Sequence, residues 1–438
     1  GTTPSPLIYR YRPKDIAKVL MIGRGNLYLD VFDTSGIKCD YFLSKKFLAV
    51  TKINVELELI MKTTLTRAGM FALATMVVMM YGSTLTSARA EGLQKVTIRF
   101  SADLPPPPHP TAIAMNWFKE RVESEFPSGS EVRNFFAGAL YKDPDAMSAM
   151  TQGNLEMGWL VAGKTAATDI WLSMISQPGV LTSVAAIHDL GNQPTGKMLL
   201  NRLRDKHGIE PFGYADLSFA LGMAGKKRLL TLDSFKGRKI RTFAAAVNPV
   251  VASWGASPVV MSFGDVPSAL ESGVLDGVIT SIGGWRAITE QTPYYTIAGI
   301  ATVAFDTYWV GASAQWMNKL NGPTRSKIRA LMAETIAYQN ELNWCNDQFA
   351  IRQFNVSDPS KAGIYQATPA QAKPIQEAIG SNVAVYLKKK LPNDADPWVD
   401  RFFEDGKVAS TQHGSGTDPL ESLNCAKYEH LLKKKKKK

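Results

Sequence analysis

The sequence predicts an α/β protein whose sheets are mainly parallel. From about residue 95 onward, short β-like segments alternate with helical segments, which is the pattern of parallel strands joined by crossover helices. The chain has 438 residues, of which 45% are hydrophobic, so it can bury substantial hydrophobic cores. Together these observations indicate a globular protein of two or three domains.

The first 90 residues contain a secretory export signal. Residues 61–67 form a short positive region, residues 69–82 form an apolar core, and Ala88-Arg89-Ala90 is a typical cleavage site. A membrane anchor is the alternative, but this core of 14 residues is shorter than the roughly 20 that span a bilayer. We expect export to the periplasm with cleavage after Ala90, and we expect residues 1–60 to be an upstream extension outside the mature protein.

The net charge of +11 is concentrated at the two ends of the chain. Residues 1–90 hold 12 basic and 6 acidic residues, and the tail Lys433–Lys438 adds six lysines. Residues 91–432 hold 32 basic and 33 acidic residues, so the body of the protein lacks the basic excess of a nucleic-acid-binding protein. We expect no nucleic-acid partner, and we expect the hexalysine tail (433–438) to be disordered and without function.

The folded region begins with a strand at 95–102 and a helix at 111–126, joined by a proline-rich loop. Four consecutive prolines in Leu104–Pro110 resist both helix and sheet. Loops at the carboxyl ends of strands are where open α/β sheets bind ligands, so His109 is a candidate ligand-binding residue. The alternative is that His109 only caps or packs against the helix that follows.

The next segments continue the alternation of strand and helix. The predicted elements are strands at 132–136 and 155–161, a short helix from Asp143 to Gly153, two helices between 183 and 208, and a strand at 209–217. Val161 and the small residues Ala162 and Gly163 follow one strand and leave room for a ligand, so Val161 is a second candidate. A plain tight turn is the alternative at this position.

A cationic strand at Lys239–Arg241 carries the clearest sign of function. A small-residue segment, an apolar strand at 258–263 and a helix that begins near Asp265 follow it. A guanidinium offers paired donors to a small anion, and a helix N-terminus adds partial positive charge. This layout predicts that Arg241 binds a small anion, and nothing in it resembles catalytic machinery.

The same stretch resembles the solute-binding proteins of tripartite ATP-independent periplasmic (TRAP) transporters of the DctP type. The resemblance rests on the runs GRKIRTF and WGASPVVMSFGDVPSALESGVLDG, in which the matching positions are Gly237, Lys239, Arg241, Gly255, Ala256, Pro258, Phe263, Ala269, Leu270, Gly273, Asp276 and Gly277. Asp265 stands where the family has an acidic residue, and Pro267 replaces its usual aromatic residue. Both departures are mild.

This resemblance implies a two-lobed periplasmic-binding-protein fold, in which each lobe is a mixed, mainly parallel sheet flanked by helices. We expect residues 91–215 to form mainly lobe 1, residues 216–312 mainly lobe 2, and residues 313–432 a lobe-spanning helix with C-terminal helices on both lobes. From Thr324, apolar residues recur at helical spacing over about 25 residues, or roughly 38 Å. A strand at 363–366 and helices at 368–390 and 397–406 follow.

The resemblance also implies ligand-binding positions besides Arg241. Leu221 stands where several family members have a helper arginine, so Arg241 is expected to act alone, with Phe219 nearby as part of an apolar wall. The other candidates are Thr280, Trp285, Tyr308 and Trp309. Ordinary core packing is the alternative for each aromatic residue.

The function that the resemblance implies is capture of a small organic acid by lobe closure and its delivery to integral-membrane permease subunits. We expect a monomer without a cofactor, a metal site or catalytic residues. The alternatives are a secreted carboxylate-using enzyme on a similar two-lobed fold and a binding protein of another transporter class. Cys345 and Cys425 either form a structural disulfide or stay free thiols.

Overall fold

A computed structural model gives the structure of the chain. It describes the backbone of three N-terminal strands, residues 92–299, residues 302–412, residue 416 and residues 418–433. The chain divides into two compact units, Gly1–Ala90 and Glu91–Lys438.

The first unit contains three strands that form an antiparallel meander. These strands are β1 (Ala17–Gly23), β2 (Asn26–Phe32) and β3 (Lys38–Phe42), and β2 pairs with both neighbours. The predicted export signal at 61–90 lies outside the described residues, as does the lysine tail after Lys433. Among the described helices, none combines the length and apolar character needed to cross a membrane.

The second unit contains two sheets. The five-stranded sheet has the order β5-β4-β6-β13-β7 and the six-stranded sheet has the order β10-β9-β11-β8-β12-β14. The strands are β4 (Thr97–Ser101), β5 (Glu131–Phe135), β6 (Met157–Val161), β7 (Ile209–Asp216), β8 (Gly222–Gly225), β9 (Lys239–Thr242), β10 (Ser257–Val260), β11 (Gly277–Thr280), β12 (Tyr294–Ile297), β13 (Thr307–Ser313) and β14 (Gly363–Gln366). We call the five-stranded sheet and its helices lobe 1, and the six-stranded sheet and its helices lobe 2.

Helices connect and cover these strands. The α-helices are α1 (Pro110–Glu125), α2 (Asp143–Thr151), α3 (Ala162–Thr165), α4 (Val184–His188), α5 (Pro194–His207), α6 (Leu232–Phe235), α7 (Asn248–Ser253), α8 (Val266–Glu271), α9 (Ile282–Trp285), α10 (Ala314–Met317), α11 (Gly322–Phe354), α12 (Pro369–Ile379), α13 (Asn382–Lys390), α14 (Asp396–Gln412) and α15 (Glu429–Leu432). Short 3-10 segments lie between several of them. The predicted two-lobed α/β architecture with a spanning helix is confirmed.

Parallel pairing brings the carboxyl ends of several strands to the same edges. In lobe 1, β4 pairs in parallel with β5 and β6, and in lobe 2, β9 pairs in parallel with β10 and β11. Ile98 and Phe100 of β4 are fully buried, and the Phe100 ring packs edge-on against Phe118 of α1. The apolar face of α1 therefore covers the first sheet and fixes the loop that precedes the helix.

Strand β13 belongs to lobe 1, although most of it falls in the range 216–312 that the sequence predicts to be mainly lobe 2. It pairs antiparallel with both β6 and β7 of the lobe 1 sheet. All seven residues of β13 are buried, which is typical of an inner strand covered on both faces. The chain therefore returns to lobe 1 before the long helix begins.

The spanning helix α11 is longer than predicted. It contains 33 residues, which corresponds to about 50 Å, and it begins at an Asn321 N-cap whose side chain accepts from the backbone of Thr324. It packs against α1 and β7 of lobe 1 and against β14 of lobe 2. The single helix predicted at 368–390 is two helices, because Gly380 adopts a positive φ of 48° that ends α12.

Cys345 and Cys425 form a disulfide, with 5.2 Å between their Cα atoms. The bond connects the C-terminal half of α11 to the C-terminal segment, and the sequence separation is 80 residues. Leu342 of α11, Ala114 of α1 and Leu432 pack around the two cysteines. The sequence left a disulfide and two free thiols open, and the structure has the disulfide.

Candidate functional site

Arg241 lies on β9, next to the edge strand of the lobe 2 sheet, and is almost completely buried. It stands on β9 between β10 and β11, and only 2% of its surface is exposed. Its Nε donates to the carbonyl of Met261 at 2.9 Å, and its Nη1 donates to the carbonyl of Ile279 at 3.2 Å. The two neighbouring strands therefore hold the guanidinium in a fixed orientation.

The guanidinium of Arg241 lines a small cavity between the two sheets, with a volume of about 40 Å³. The lining residues are Asp103, Leu104, Pro105, His109, Val161, Lys164, Leu217, Arg241, Phe243, Phe263, Thr280, Ser281, Gly284 and Tyr308. Several of them follow directly on the carboxyl ends of β4, β6, β9 and β11. This is the edge at which open α/β sheets bind ligands.

Lobe 1 contributes a compact group of charges to this cavity. Lys164 Nζ lies 2.8 Å from Asp103 Oδ2 and 3.6 Å from Asp143 Oδ2, and all three side chains are buried. Burial acts to raise the pKa of Asp103, but the charge of Lys164 and its hydrogen bond outweigh burial and hold the pKa below its usual value. Burial raises the pKa of Asp143 to about 6 against the opposing charge of Lys164. The lysine is thus already shared between two carboxyl groups.

Arg241 has no such partner within the described residues. Burial lowers its pKa to about 10, and the charges of Asp103 and Asp143 oppose this shift without forming a salt bridge to it. The guanidinium stays protonated at neutral pH, and in the described part of the chain its hydrogen bonds go to backbone carbonyls only. A buried cation without a carboxylate of its own is well suited to bind an anion, because the anion replaces the solvation that the cation has lost.

His109 and Tyr308 are neutral polar groups in the cavity wall. Burial, together with the positive charge of Arg286, lowers the pKa of His109 to about 3. Its Nδ1 is buried and has no hydrogen-bond partner among the described residues. Burial raises the pKa of Tyr308, so its hydroxyl also stays neutral. His109 further lines a groove of about 1050 Å³ that lies beside the proline-rich loop.

Five of the eight residues predicted to bind the ligand lie around this cavity. They are Arg241, Thr280, Tyr308, His109 and Val161. They come from both lobes and from separate parts of the chain, and the loops at the strand ends bring them together. Their contact with a ligand remains a prediction.

The other three predicted residues, Trp285, Trp309 and Phe219, lie in the protein core. The Trp285 ring packs against Tyr295 and Phe354, with ring centroids 5.3 and 5.5 Å away, and its indole donates to a backbone carbonyl. Phe219 packs against His188 and Trp344.

Trp309 neighbours Tyr308 on β13, where successive side chains point to opposite faces of the sheet. Tyr308 faces the cavity, while the Trp309 indole donates to the Thr165 hydroxyl at 3.0 Å. Trp285, Trp309 and Phe219 therefore lie outside the lining of this cavity. Phe243, Phe263 and Tyr308 supply the aromatic lining.

Asp103 and Lys164 line the cavity but are not among the residues predicted to bind the ligand. Both stand within three residues of a strand end, Asp103 after β4 and Lys164 after β6. The position of charged residues just beyond the carboxyl ends of predicted parallel strands is the signal that could have identified them. Their pairing with each other could not be read from the sequence, because 61 residues separate them.

The two lobes also touch at the edge of the cavity. Lys142 of lobe 1 forms an exposed ion pair of 2.7 Å with Asp265 of lobe 2. Ala137 has a positive φ of 54°, and a Cβ placed on Gly264 would lie 2.9 Å from the Ala137 carbonyl oxygen. Because that distance is too short for a real contact, the close approach of the lobes requires glycine at position 264. We call this contact between residues 137–142 and 264–265 the lobe contact.

Comparisons with known proteins agree with the fold. The family model described as bacterial extracellular solute-binding protein, family 7 (DctP), matches residues 101–390. A C4-dicarboxylate-binding periplasmic protein DctP of Rhodobacter capsulatus is 25% identical over 56% of this chain and 74% of its own length. The protein of the same name from Vibrio cholerae is 23% identical over 59% of this chain and 78% of its own length.

Solved structures of similar proteins share the two-lobed architecture. The sugar acid binding protein DctPAm from Advenella mimigardefordensis, in complex with galactonate, has a TM-score of 0.64 and 20% identity, covering 73% of this chain and 100% of that chain. A TRAP periplasmic solute-binding protein from Sulfurospirillum deleyianum, with bound succinate, has a TM-score of 0.62 and 20% identity. The match covers 72% of this chain and 100% of that chain. At this identity the structures show a common fold.

Proposed function

The chain belongs to the DctP family, family 7 of the bacterial extracellular solute-binding proteins, and from this premise we propose that it captures a small organic acid outside the cytoplasm and delivers it to a TRAP-type secondary transporter. The proteins of this family that resemble the chain bear names that refer to binding of C4-dicarboxylates, galactonate or succinate. All of these compounds carry at least one carboxylate. The proposed ligand has the same anionic group.

The observation that carries this proposal is the environment of Arg241. The side chain is buried, positively charged at neutral pH, held by two backbone carbonyls and exposed to a cavity between the lobes. A ligand carboxylate would accept two parallel hydrogen bonds from such a guanidinium. Within the described residues no internal carboxylate forms an ion pair with Arg241.

Capture would couple binding to lobe closure. Tyr308, Val161 and His109 approach the cavity from lobe 1, and Arg241 and Thr280 approach it from lobe 2. A ligand that touches both sets gains contacts only when the lobes are close together, so its binding favours the closed arrangement. The lobe contact would form in the same movement.

Export and delivery complete the proposed role. The protein would act in the periplasm as a monomer after cleavage behind Ala90, and it would release the acid unchanged to integral-membrane permease subunits. Support comes from the periplasmic relatives and from the export pattern at residues 61–90. Recovery of chemically unchanged ligand from the denatured complex would separate this role from that of a carboxylate-using enzyme.

Substitution of Arg241 tests the proposal. A thermal-shift screen with lactate, succinate, galactonate and glucuronate selects the strongest ligand, and calorimetric titration then compares wild type, Arg241→Met and Arg241→Lys. We expect Arg241→Met to weaken binding by about 2–5 kcal/mol, or about 30- to 5,000-fold, because a buried charge pair is lost. Arg241→Lys should restore only part of the affinity, since an ammonium cannot form the paired hydrogen bonds.

The matched control is Arg238→Met, which removes a half-exposed arginine three residues away, near Asp276. This variant should bind like wild type. Unchanged affinity in Arg241→Met, with a normal unfolding transition, would remove Arg241 from the site and with it the basis of the proposed function.

A further inference from the structure

The two cations in the cavity differ in what they can still bind. Lys164 is bonded to Asp103 and is also close to Asp143, so lobe 1 already supplies more carboxyl groups than ammonium groups. Arg241 has only carbonyl partners among the described residues. The cavity therefore has one cationic position for a ligand carboxylate, and a second ligand carboxylate would face the acidic side of lobe 1.

The same region holds hydrogen-bond acceptors without donors. Among the described residues, Asp103 Oδ1 and Asp143 Oδ1 are buried and have no hydrogen-bond partner, although the Ser262 hydroxyl lies close enough to Asp103 to help lower its pKa. His109 Nδ1 is also buried without a partner in the described part of the chain, and it accepts or donates a hydrogen bond according to the tautomer of the neutral imidazole. A buried polar atom without a partner is unfavourable, so a ligand that brings a donor to this side gains affinity that a purely anionic ligand does not.

The volume of the cavity limits the size of useful probe molecules. At about 40 Å³ it is much smaller than the roughly 300–1,000 Å³ of drug-sized ligand pockets. Tyr308, Phe243 and Phe263 are close aromatic walls. Short acids are therefore suitable probes of how the charges are arranged around the cavity.

We propose that this protein binds an acid with a single carboxylate and a neighbouring hydrogen-bond donor, a hydroxyl or an ammonium group, and that Asp103 makes the site reject dicarboxylates. The carboxylate lies on Arg241, and the donor group faces Asp103 and His109. This inference rests on the proposed function, and it separates the chain from the relatives that are named for C4-dicarboxylates.

Calorimetric titration of the full chain with matched short acids tests the inference. The probes are lactate, alanine, propionate and malonate. They share a skeleton of three carbon atoms but differ in net charge and in whether they carry a hydrogen-bond donor. We expect lactate or alanine to bind about ten- to a hundredfold more tightly than propionate, which lacks the donor. Malonate should bind at least about tenfold more weakly than the better of the two, because its second carboxylate meets Asp103. The ratio of the affinities for lactate and alanine shows whether the site prefers a hydroxyl or an ammonium group as the donor.

The variant Asp103→Asn supplies a second measurement. It removes one negative charge and frees Lys164 for a ligand carboxylate, so malonate should gain affinity relative to lactate or alanine by about tenfold or more. The matched control Asp145→Asn removes an exposed carboxylate on α2 and should leave the order of affinities unchanged. A normal urea-unfolding transition shows that Asp103→Asn is folded.

The outcomes distinguish this inference from the function on which it rests. Wild-type protein that binds propionate or malonate as tightly as lactate and alanine would overturn the inference and leave the proposed function intact. An absence of binding for every carboxylate in the thermal-shift screen and in this set would instead contradict the proposed function. If malonate gains nothing in a folded Asp103→Asn variant, Asp103 does not determine specificity.

Discussion

The two walls of the cavity both carry a buried cation, but only one of these cations lacks an ion-pair partner among the described residues. On the lobe 1 wall, Lys164 is bound by Asp103 and lies close to Asp143, whereas on the lobe 2 wall Arg241 is held by backbone carbonyls. The carboxylates of lobe 1 neutralise Lys164, whereas neutralisation of Arg241 in lobe 2 needs an external anion. A buried positive charge therefore indicates a ligand site only when the protein does not already neutralise it.

The largest expected effect is on the stability of the ligand-free protein. Lys164→Met leaves Asp103 and Asp143 buried without their cation, so we expect the free energy of unfolding to fall by about 3–5 kcal/mol. Arg241→Met should cost less, because within the described residues it leaves no carboxylate without an ion-pair partner. Urea unfolding of both variants without added acids measures the difference.

The control for this comparison is Lys142→Met. Its ion pair with Asp265 is about half exposed, so the loss should be at most about 1 kcal/mol. If Arg241→Met proves more destabilising than Lys164→Met, the assignment of a structural role to lobe 1 and a binding role to lobe 2 is reversed.

A second prediction concerns the pH dependence of the lobe 1 wall. The pKa of Asp143 is raised to about 6 in the folded state from an ordinary 3.8, so the folded protein takes up this proton before the unfolded chain does as the pH falls. Asp143 therefore lowers stability above about pH 6, and this loss disappears as the pH falls towards 4. Over this window wild type should gain about 3 kcal/mol relative to Asp143→Asn.

Chemical unfolding of wild type and Asp143→Asn between pH 7.5 and about 4 measures this gain, with exposed Asp145→Asn as the control. Asp103, whose pKa is lowered, contributes with the opposite sign, because its stabilising effect is lost only as the pH falls through its depressed pKa. A stability difference between wild type and Asp143→Asn that stays constant over the window would contradict the raised pKa of Asp143.

The smallest predicted effect tests whether the two walls must meet. Gly264→Ala places a Cβ 2.9 Å from the Ala137 carbonyl oxygen and should hold the lobes slightly apart. We expect acid binding to weaken by about 1–3 kcal/mol, or about five- to 150-fold, with little change in unfolding free energy. Calorimetry and urea unfolding measure the two quantities.

Gly322→Ala is the matched control for this variant. A Cβ at Gly322 would meet no atom within 4 Å, so this substitution should leave the affinity unchanged. If Gly264→Ala binds the acid as tightly as wild type, the lobe contact takes no part in holding the ligand.

Much of the fold could be predicted because its signals are local. Prolines at the start of α1 and α11, the glycine after α5 and the apolar spacing of α11 each act within a few residues, so the sequence displays them directly. Strand pairing depends on distant segments, so the local sequence does not display it. Strand β13 joins lobe 1 because of its partners β6 and β7, which the local pattern of β13 does not reveal.

The sequence by itself identified the family pattern, the order of most elements and Arg241 as a cation at a strand end. Only the tertiary structure decided that Lys164 is neutralised and Arg241 is not, and that Trp309 points into the core while Tyr308 lines the cavity. The physical reason is that a charge or a ring acquires its role from its neighbours in space. Those neighbours come from strand ends far apart along the chain, where no periodicity or spacing records their meeting.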